Sequence, residues 1–191
     1  MCWACKGPMQ QGVLICPTCD AVSNCFTFDF FTLLGMDMVY NVDLKKLDDQ
    51  YLKLQKLLHP DNYVQVSSRE QLYAAQQSAR INDAYETLKD DVDRALCLIS
   101  MADHAAGKTS DALEGVALAP DDLELQFSLR ELLQNGADAA TLLKDVVKMM
   151  KTCVKKLQKD FVESDITQAK QDTMKLKFLK VLEKDIHAQM A

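Results

Sequence analysis

Glycine and proline are scarce, six and four in 191 residues. That leaves little of the turn chemistry a β-rich fold needs and favours long helices. A basic excess is also missing. The net charge is −6, which argues against non-specific nucleic-acid binding, where a positive footprint is required. No apolar run approaches the length needed to cross a bilayer. Only three histidines occur, with no Gly-rich phosphate loop and no Ser or Cys nucleophile beside one, so the chain reads as a non-enzyme. The opening "MCWACKGPMQQGVLICPTCD" lacks the apolar core of a secretory signal and carries cysteines instead. An Arg-rich, acid-poor transit peptide is absent from the chain as given, so the expectation is a cytosolic protein or one whose leader has been removed.

What is present is concentrated. Of seven cysteines, Cys2, Cys5, Cys16, Cys19 and Cys25 crowd the start. A secreted disulfide framework would be spread along the chain. Cys2-x-x-Cys5 and Cys16-x-x-Cys19 each offer two thiolates from a tight turn, and Gly7, Pro8 and Pro17 suit such turns. Zn²⁺ takes four soft ligands in a tetrahedron, and a four-thiolate set leaves no position for a substrate, so the expected site is structural. A redox or thiol-sensing role for the same cysteines stays open. Catalytic CxxC pairs usually come singly beside a βαβ unit, which is lacking here. Cys97 and Cys153 lie among apolar neighbours and read as core.

The expected fold is all-α in four segments: a zinc knuckle at 1–25, a helical domain at 26–104, a linker at 105–120 and a three-helix bundle at 121–191. "DFFTLLG" reads as a short helix ended by Gly35. In "VDLKKLDDQYLKLQKLLHPD", Asp43 is the expected N-cap. Leu44, Leu47, Tyr51, Leu54 and Leu58 form an amphipathic seam, and Pro60 stops the helix. After the polar loop "NYVQVSSRE", Ser67 or Ser68 opens a long helix through Leu72, Ala75, Ala79, Ala84 and Leu88, antiparallel to the one before. A shorter helix, "VDRALCLISMAD", follows. In the last segment Asp121, Asp138 and Asp165 are expected N-caps and Gly136 a stop. Its middle helix buries Leu142, Leu143, Val146, Val147, Met150, Val154, Leu157 and Phe161.

Two surface features stand out. At the first helix stop lie His59, Pro60 and Asp61, preceded by Lys45, Lys46, Lys53 and Lys56 on an outer face. An acid–base pair has little support without a nucleophile, and a bare helix stop explains only the proline. A rigid loop presenting an imidazole and a carboxylate can make directional contacts, and a basic face in an acidic protein steers an acidic partner. In "DDLELQFSLRELL", Leu125, Leu129, Leu132 and Leu133 share one side of a helix, while Leu123 and Phe127 lie nearly opposite, flanked by Glu124 and Glu131. The plain reading is that another domain covers this pair. The other reading is a protein-binding patch.

A helical pair with His-Pro-Asp in its loop resembles a J-domain, the module through which co-chaperones stimulate DnaK-class ATPases. Tyr51, Lys53, Leu54, His59, Pro60 and Asp61 stand where that pattern has them. "QQSARINDAYETLKD" and "FDFFTLLG" are similar to the HscB type, dedicated to iron–sulfur cluster biogenesis. The cysteine-rich opening resembles that of its animal mitochondrial members. Asn62 stands where the family often has Lys, Arg or Phe. The resemblance implies a chaperone contact through Tyr51, Lys53, Lys56, His59, Pro60 and Asp61, the chaperone being of DnaK, HscA or mortalin type. It also implies a contact with an IscU-type iron–sulfur scaffold through Leu123, Glu124, Phe127, Glu131 and Phe178, with Ser128 and Leu132 where acids are common. Structural Zn²⁺ would be the cofactor and the mitochondrial matrix the place, with the cytosol a second. Neither nucleic acid nor membrane is an expected partner. A homodimer and a general J-protein for unfolded clients stay open.

Overall fold

The computed structural model describes residues 1–9, 13–24, 29–108 and 111–190; Cys25, the expected spare thiol, lies outside them. Among the described residues there are seven α-helices: α1 (Phe30–Leu33), α2 (Leu44–Leu57), α3 (Ser68–Lys89), α4 (Asp91–Ala105), α5 (Pro120–Gln134), α6 (Ala139–Glu163) and α7 (Ile166–Met190). A single 3₁₀ turn, Pro60–Tyr63, separates α2 from α3. The described residues form two compact units, Met1–Asp90 and Asp91–Ala191.

In the first unit α2 and α3 pack together and α1 lies against α3. Asp43 caps α2 by accepting from the N–H groups of Lys45 and Lys46 at 3.0 and 3.1 Å, and Ser67 caps α3 through the Glu70 N–H. The seam of α2 is shorter than expected. Leu47 and Leu58 are fully buried, but Leu44 is exposed. On α3 the buried stripe is Ala74, Gln77, Ile81, Ala84 and Leu88, a clean three-four spacing. The expected Leu72, Ala75 and Ala79 lie outside it and are exposed. A glutamine holds the central place in that stripe, and it is buried because its amide donates to the Ser23 carbonyl at 3.1 Å.

In the second unit α6 and α7 form a long hairpin, and α4 and α5 pack on α7. Its core gathers Leu129, Leu133, Leu142, Val146, Phe178, Leu179, Leu182 and Ile186, each burial contributing about 1.5–3 kcal/mol. The expected middle-helix stripe is only partly right. Leu142, Val146 and Leu157 are buried with Cys153 and Asp160, while Leu143, Val147, Met150, Val154 and Phe161 are half-buried. The expectation also grouped α4 with residues 26–104, whereas α4 here belongs to the second unit. The buried Asp103 of α4 accepts from Lys170 of α7 at 2.6 Å. Asp121 is not a cap, because α5 begins two residues earlier than expected, with Ala119 at the cap position and Pro120 first in the helix. Proline suits that place, its N–H being unneeded there, and Asp121 and Asp122 then complement the positive helix end. Asp138 and Asp165 do cap, accepting from Thr141 and Gln168. Gly136 ends α5 at φ +76°, a backbone angle glycine adopts without steric cost. No helix among the described residues is long and apolar enough to cross a membrane.

Candidate functional site

The four-cysteine head is built from two copies of one turn. In each, the residue after the second cysteine is left-handed, Lys6 at φ 61° and Asp20 at φ 56°. The chain then folds back on the first cysteine, whose N–H donates to Gly7 in one copy and Ala21 in the other, both at 2.9 Å. This geometry aims backbone N–H groups at sulfur: Ala4 at Cys2, Gly7 at Cys5 and Thr18 at Cys16, at 3.4, 3.4 and 3.5 Å. Such donors favour thiolates. All four Sγ atoms lie within 4.8 Å of one another, with Cys2–Cys19 at 3.7 Å and Cys5–Cys16 at 3.8 Å. A disulfide would need about 2.05 Å. A tetrahedron with Zn–S bonds of about 2.3 Å has edges of about 3.8 Å, so the donor set fits a thiophilic cation.

The Thr18 N–H brings the Cys16 thiol down to about 6 against the opposing effect of burial. The Ala21 N–H favours the Cys19 thiolate, but hydrogen bonding with Cys5 and burial outweigh it and push the thiol up to about 12. Opposite shifts inside one cluster follow from crowding: ionising one sulfur makes the next harder to ionise unless a cation sits among them.

The head is fastened to α3. Trp3, the only tryptophan, donates to the Val22 carbonyl at 2.7 Å and meets Tyr73 edge-on with ring centroids 5.3 Å apart. The Arg69 guanidinium lies 5.6 Å from the Trp3 ring centre. The Val22 N–H donates to Glu70 at 3.1 Å.

At the other end of the first turns of α3 sits the tripeptide loop. His59 caps the 3₁₀ turn, its Nδ1 accepting the Asp61 N–H at 3.3 Å and lying 3.5 Å from the Asp61 carboxylate. The side chains are 58% and 85% exposed, with no nucleophile among their contacts. Gln71 of α3 donates to the carbonyls of Tyr63 and Val64 at 3.0 and 3.2 Å. Asn62 and Tyr63 reach back to the end of α2. The Asn62 amide donates to Lys56 O at 2.8 Å and Leu57 O at 3.4 Å, and the Tyr63 hydroxyl donates to Leu57 O at 3.1 Å.

Lys45, Lys46, Lys53 and Lys56 are all exposed. Tyr51 is half-buried: it stacks on Tyr85 at 4.0 Å and donates to Asn82 at 3.1 Å, so it joins α2 to α3. On α5, Leu123 and Phe127 are 43% and 66% exposed, and Glu124 and Glu131 are exposed beside them. Leu132, expected on the buried side, is 48% exposed. Phe178, expected among the contact residues, is buried in the core of the second unit; it backs α5 and is not part of its outer surface. The sequence reading missed Glu70, Gln71 and Gln77. It noticed Asn62 only as a departure, although asking which donor serves the Lys56 carbonyl once Pro60 lacks an N–H would have exposed its role.

An exposed His-Pro-Asp turn at a helix end and a metal-ready head in the first unit, with an acid-rimmed apolar face on α5 of the second, are the equipment of a helical co-chaperone. The HSCB C-terminal oligomerisation domain model matches residues 121–187. A co-chaperone protein HscB homolog of Vibrio cholerae is 34% identical over 83% of this chain and 94% of its own length. One of Aliivibrio salmonicida is 33% identical over 82% and 93%. The crystal structure of human co-chaperone protein HscB superposes with a TM-score of 0.86 at 27% identity, covering 99% of this chain and 98% of that one. Chaperone HscB from Vibrio cholerae gives 0.74 at 32% identity, with 85% and 98% covered. The chain belongs to the HscB co-chaperone family.

Proposed function

We propose that this protein carries an IscU-type iron–sulfur scaffold to a chaperone of the DnaK, HscA or mortalin type and stimulates that chaperone's ATPase to promote cluster transfer. The observation that carries this reading is the tripeptide: His59 and Asp61 exposed on a turn stiffened by Pro60, with no catalytic neighbour, at the end of a helix bearing Lys53 and Lys56. Such groups act on chemistry in another protein. The exposed Leu123 and Phe127, rimmed by Glu124 and Glu131, supply the scaffold contact. Holding the scaffold raises its effective concentration at the chaperone, and the loop favours the chaperone's hydrolysis-competent state.

The protein is then an adaptor, not an enzyme. Zn²⁺ held by Cys2, Cys5, Cys16 and Cys19 cross-links the two turns of the head. The mitochondrial matrix is the proposed compartment, on the strength of the cysteine-rich opening. The oligomerisation named in the family description extends the reading to self-association through residues 121–187.

The test is single-turnover ATPase stimulation measured beside scaffold binding. His59→Gln loses stimulation, by about a hundred-fold if two directional hydrogen bonds to the chaperone go with it, and keeps scaffold affinity. Stimulation surviving that change would sink the proposal.

A further inference from the structure

In a continuous α-helix the N–H of residue 60 would bond to the carbonyl of residue 56, and that of residue 61 to the carbonyl of residue 57. Proline has no N–H, so Pro60 leaves Lys56 O without its donor. The Asp61 N–H is also diverted, since it donates to His59 Nδ1. Leu57 O therefore loses its donor for a second, separate reason. Both carbonyls are served from beyond the stop, by the Asn62 amide at 2.8 and 3.4 Å and by the Tyr63 hydroxyl at 3.1 Å. Asn62 supplies the donor that Pro60 removes, and the bond closes a ring of backbone and side chain around the tripeptide.

We propose that Asn62 is a positioning residue: its side-chain amide ties the His59-Pro60-Asp61 turn to the last carbonyls of α2 and so sets the direction in which His59 and Asp61 face the chaperone. The short amide is turned inward, toward the protein's own backbone. Its contribution reaches the chaperone through the loop it holds. The amide must act as a donor, because both partners are carbonyls. Asn62→Asp keeps the shape and reverses that requirement, placing a carboxylate against two acceptors. Asn62→Ala removes the group without adding repulsion.

The activity readout rests on the co-chaperone reading, whereas the loop readout does not. In the free protein, two-dimensional NMR follows the backbone amides of residues 56–59 and 61–63 in wild type, Asn62→Ala and Asn62→Asp. Single-turnover hydrolysis by a DnaK-class chaperone is then titrated with each variant. In both variants the Asp61 and Tyr63 amides move and exchange faster. The half-saturating concentration rises about five-fold for Asn62→Ala, as expected for one lost hydrogen bond, and further for Asn62→Asp. The maximal rate is retained, since His59 and Asp61 are still present. Asn62→Asp behaving as wild type would overturn the proposal. So would an affinity loss in Asn62→Ala with unmoved loop amides, which would make Asn62 a direct chaperone contact. Should wild type itself stimulate nothing, the co-chaperone reading fails and the free-protein spectra alone decide the role of Asn62.

Discussion

The two units hold themselves together differently. The first adds to an apolar core of Phe31, Leu34, Leu47, Leu58, Ile81 and Leu88 a set of side chains that bond to backbone outside their own helix: Glu70 to Val22, Gln77 to Ser23, Gln71 to Tyr63 and Asn62 to Lys56. The second relies on an aliphatic core of Leu129, Leu133, Val146, Leu179, Leu182 and Ile186, with charges sunk between its helices. Directional bonds fix a loop or a head in one orientation, which a presented tripeptide needs. A broad apolar core fixes helices while leaving their outer faces free to carry a second pattern, as α5 does with Leu123 and Phe127. The difference fits a molecule that makes one oriented contact and one apolar contact.

The sharpest way to break this contrast is to strip the head of the metal proposed for it. Structural zinc sites contribute on the order of 10–16 kcal/mol of apparent binding energy in small domains. Chelation, or Cys16→Ser, is therefore expected to unfold the head. Trp3 reports on it without labelling, and its emission shifts to the red as it leaves Tyr73 and Val22. The helical signal of the second unit is retained. An unmoved Trp3 emission after complete chelation would show that α3, not the metal, organises the head.

Next in size is the α5 face. Leu123→Ala with Phe127→Ala is expected to weaken scaffold binding by about a hundred-fold, the range for two clustered apolar anchors, with metal content and ATPase stimulation unchanged. Titration calorimetry giving wild-type affinity would leave the second unit without its proposed contact.

The smallest effect concerns the buried charges. Burial, and then the hydrogen bond and charge of Asp172, push the Asp160 carboxyl up to about 6 from an ordinary value of 3.8. Each of the two carries a buried oxygen with no hydrogen-bond partner. A carboxyl that holds its proton more tightly when folded gives stability that is complete below its unfolded value and lost as pH rises through about 6. Asp160→Asn should therefore raise the melting temperature by about 3 °C near neutral pH and flatten the pH dependence between its ordinary value and 6. Melting curves across that range decide it. A lower melting temperature near neutral pH would mean that Asp160 stabilises α6 against α7 in its charged form.

Legibility in the sequence followed the kind of force at work. Paired CxxC turns announced the head because a metal needs its ligands at fixed local spacing. Asp43, Ser67 and Asp138 were readable as caps because capping is local. Asp121 misled because Pro120 moved the helix start ahead of it. On α3, Leu72, Ala75 and Ala79 gave a plausible apolar stripe, and the true one was hidden behind Gln77, whose burial depends on a carbonyl far away in the chain. Phe178 was counted among the contact residues from its likeness to an aromatic position on the last helix, but its neighbours on α5, α6 and α7 enclose it. The stacking of Tyr51 on Tyr85 was not read at all, because the two lie on different helices. Bonds from side chain to distant backbone carry no period, so Glu70 and Gln71 left no trace to read.

Those last two residues are adjacent. One grips the head and the other grips the tripeptide loop, so a single peptide unit at the start of α3 is loaded from both sides. A change that pulls Val22 away from Glu70 acts one residue from the anchor of Tyr63. Mechanically, the head and the tripeptide are two arms on one pivot. The first two turns of α3, from Ser68 to Ala74, are the place where substitutions chosen to alter either arm will be felt in the other.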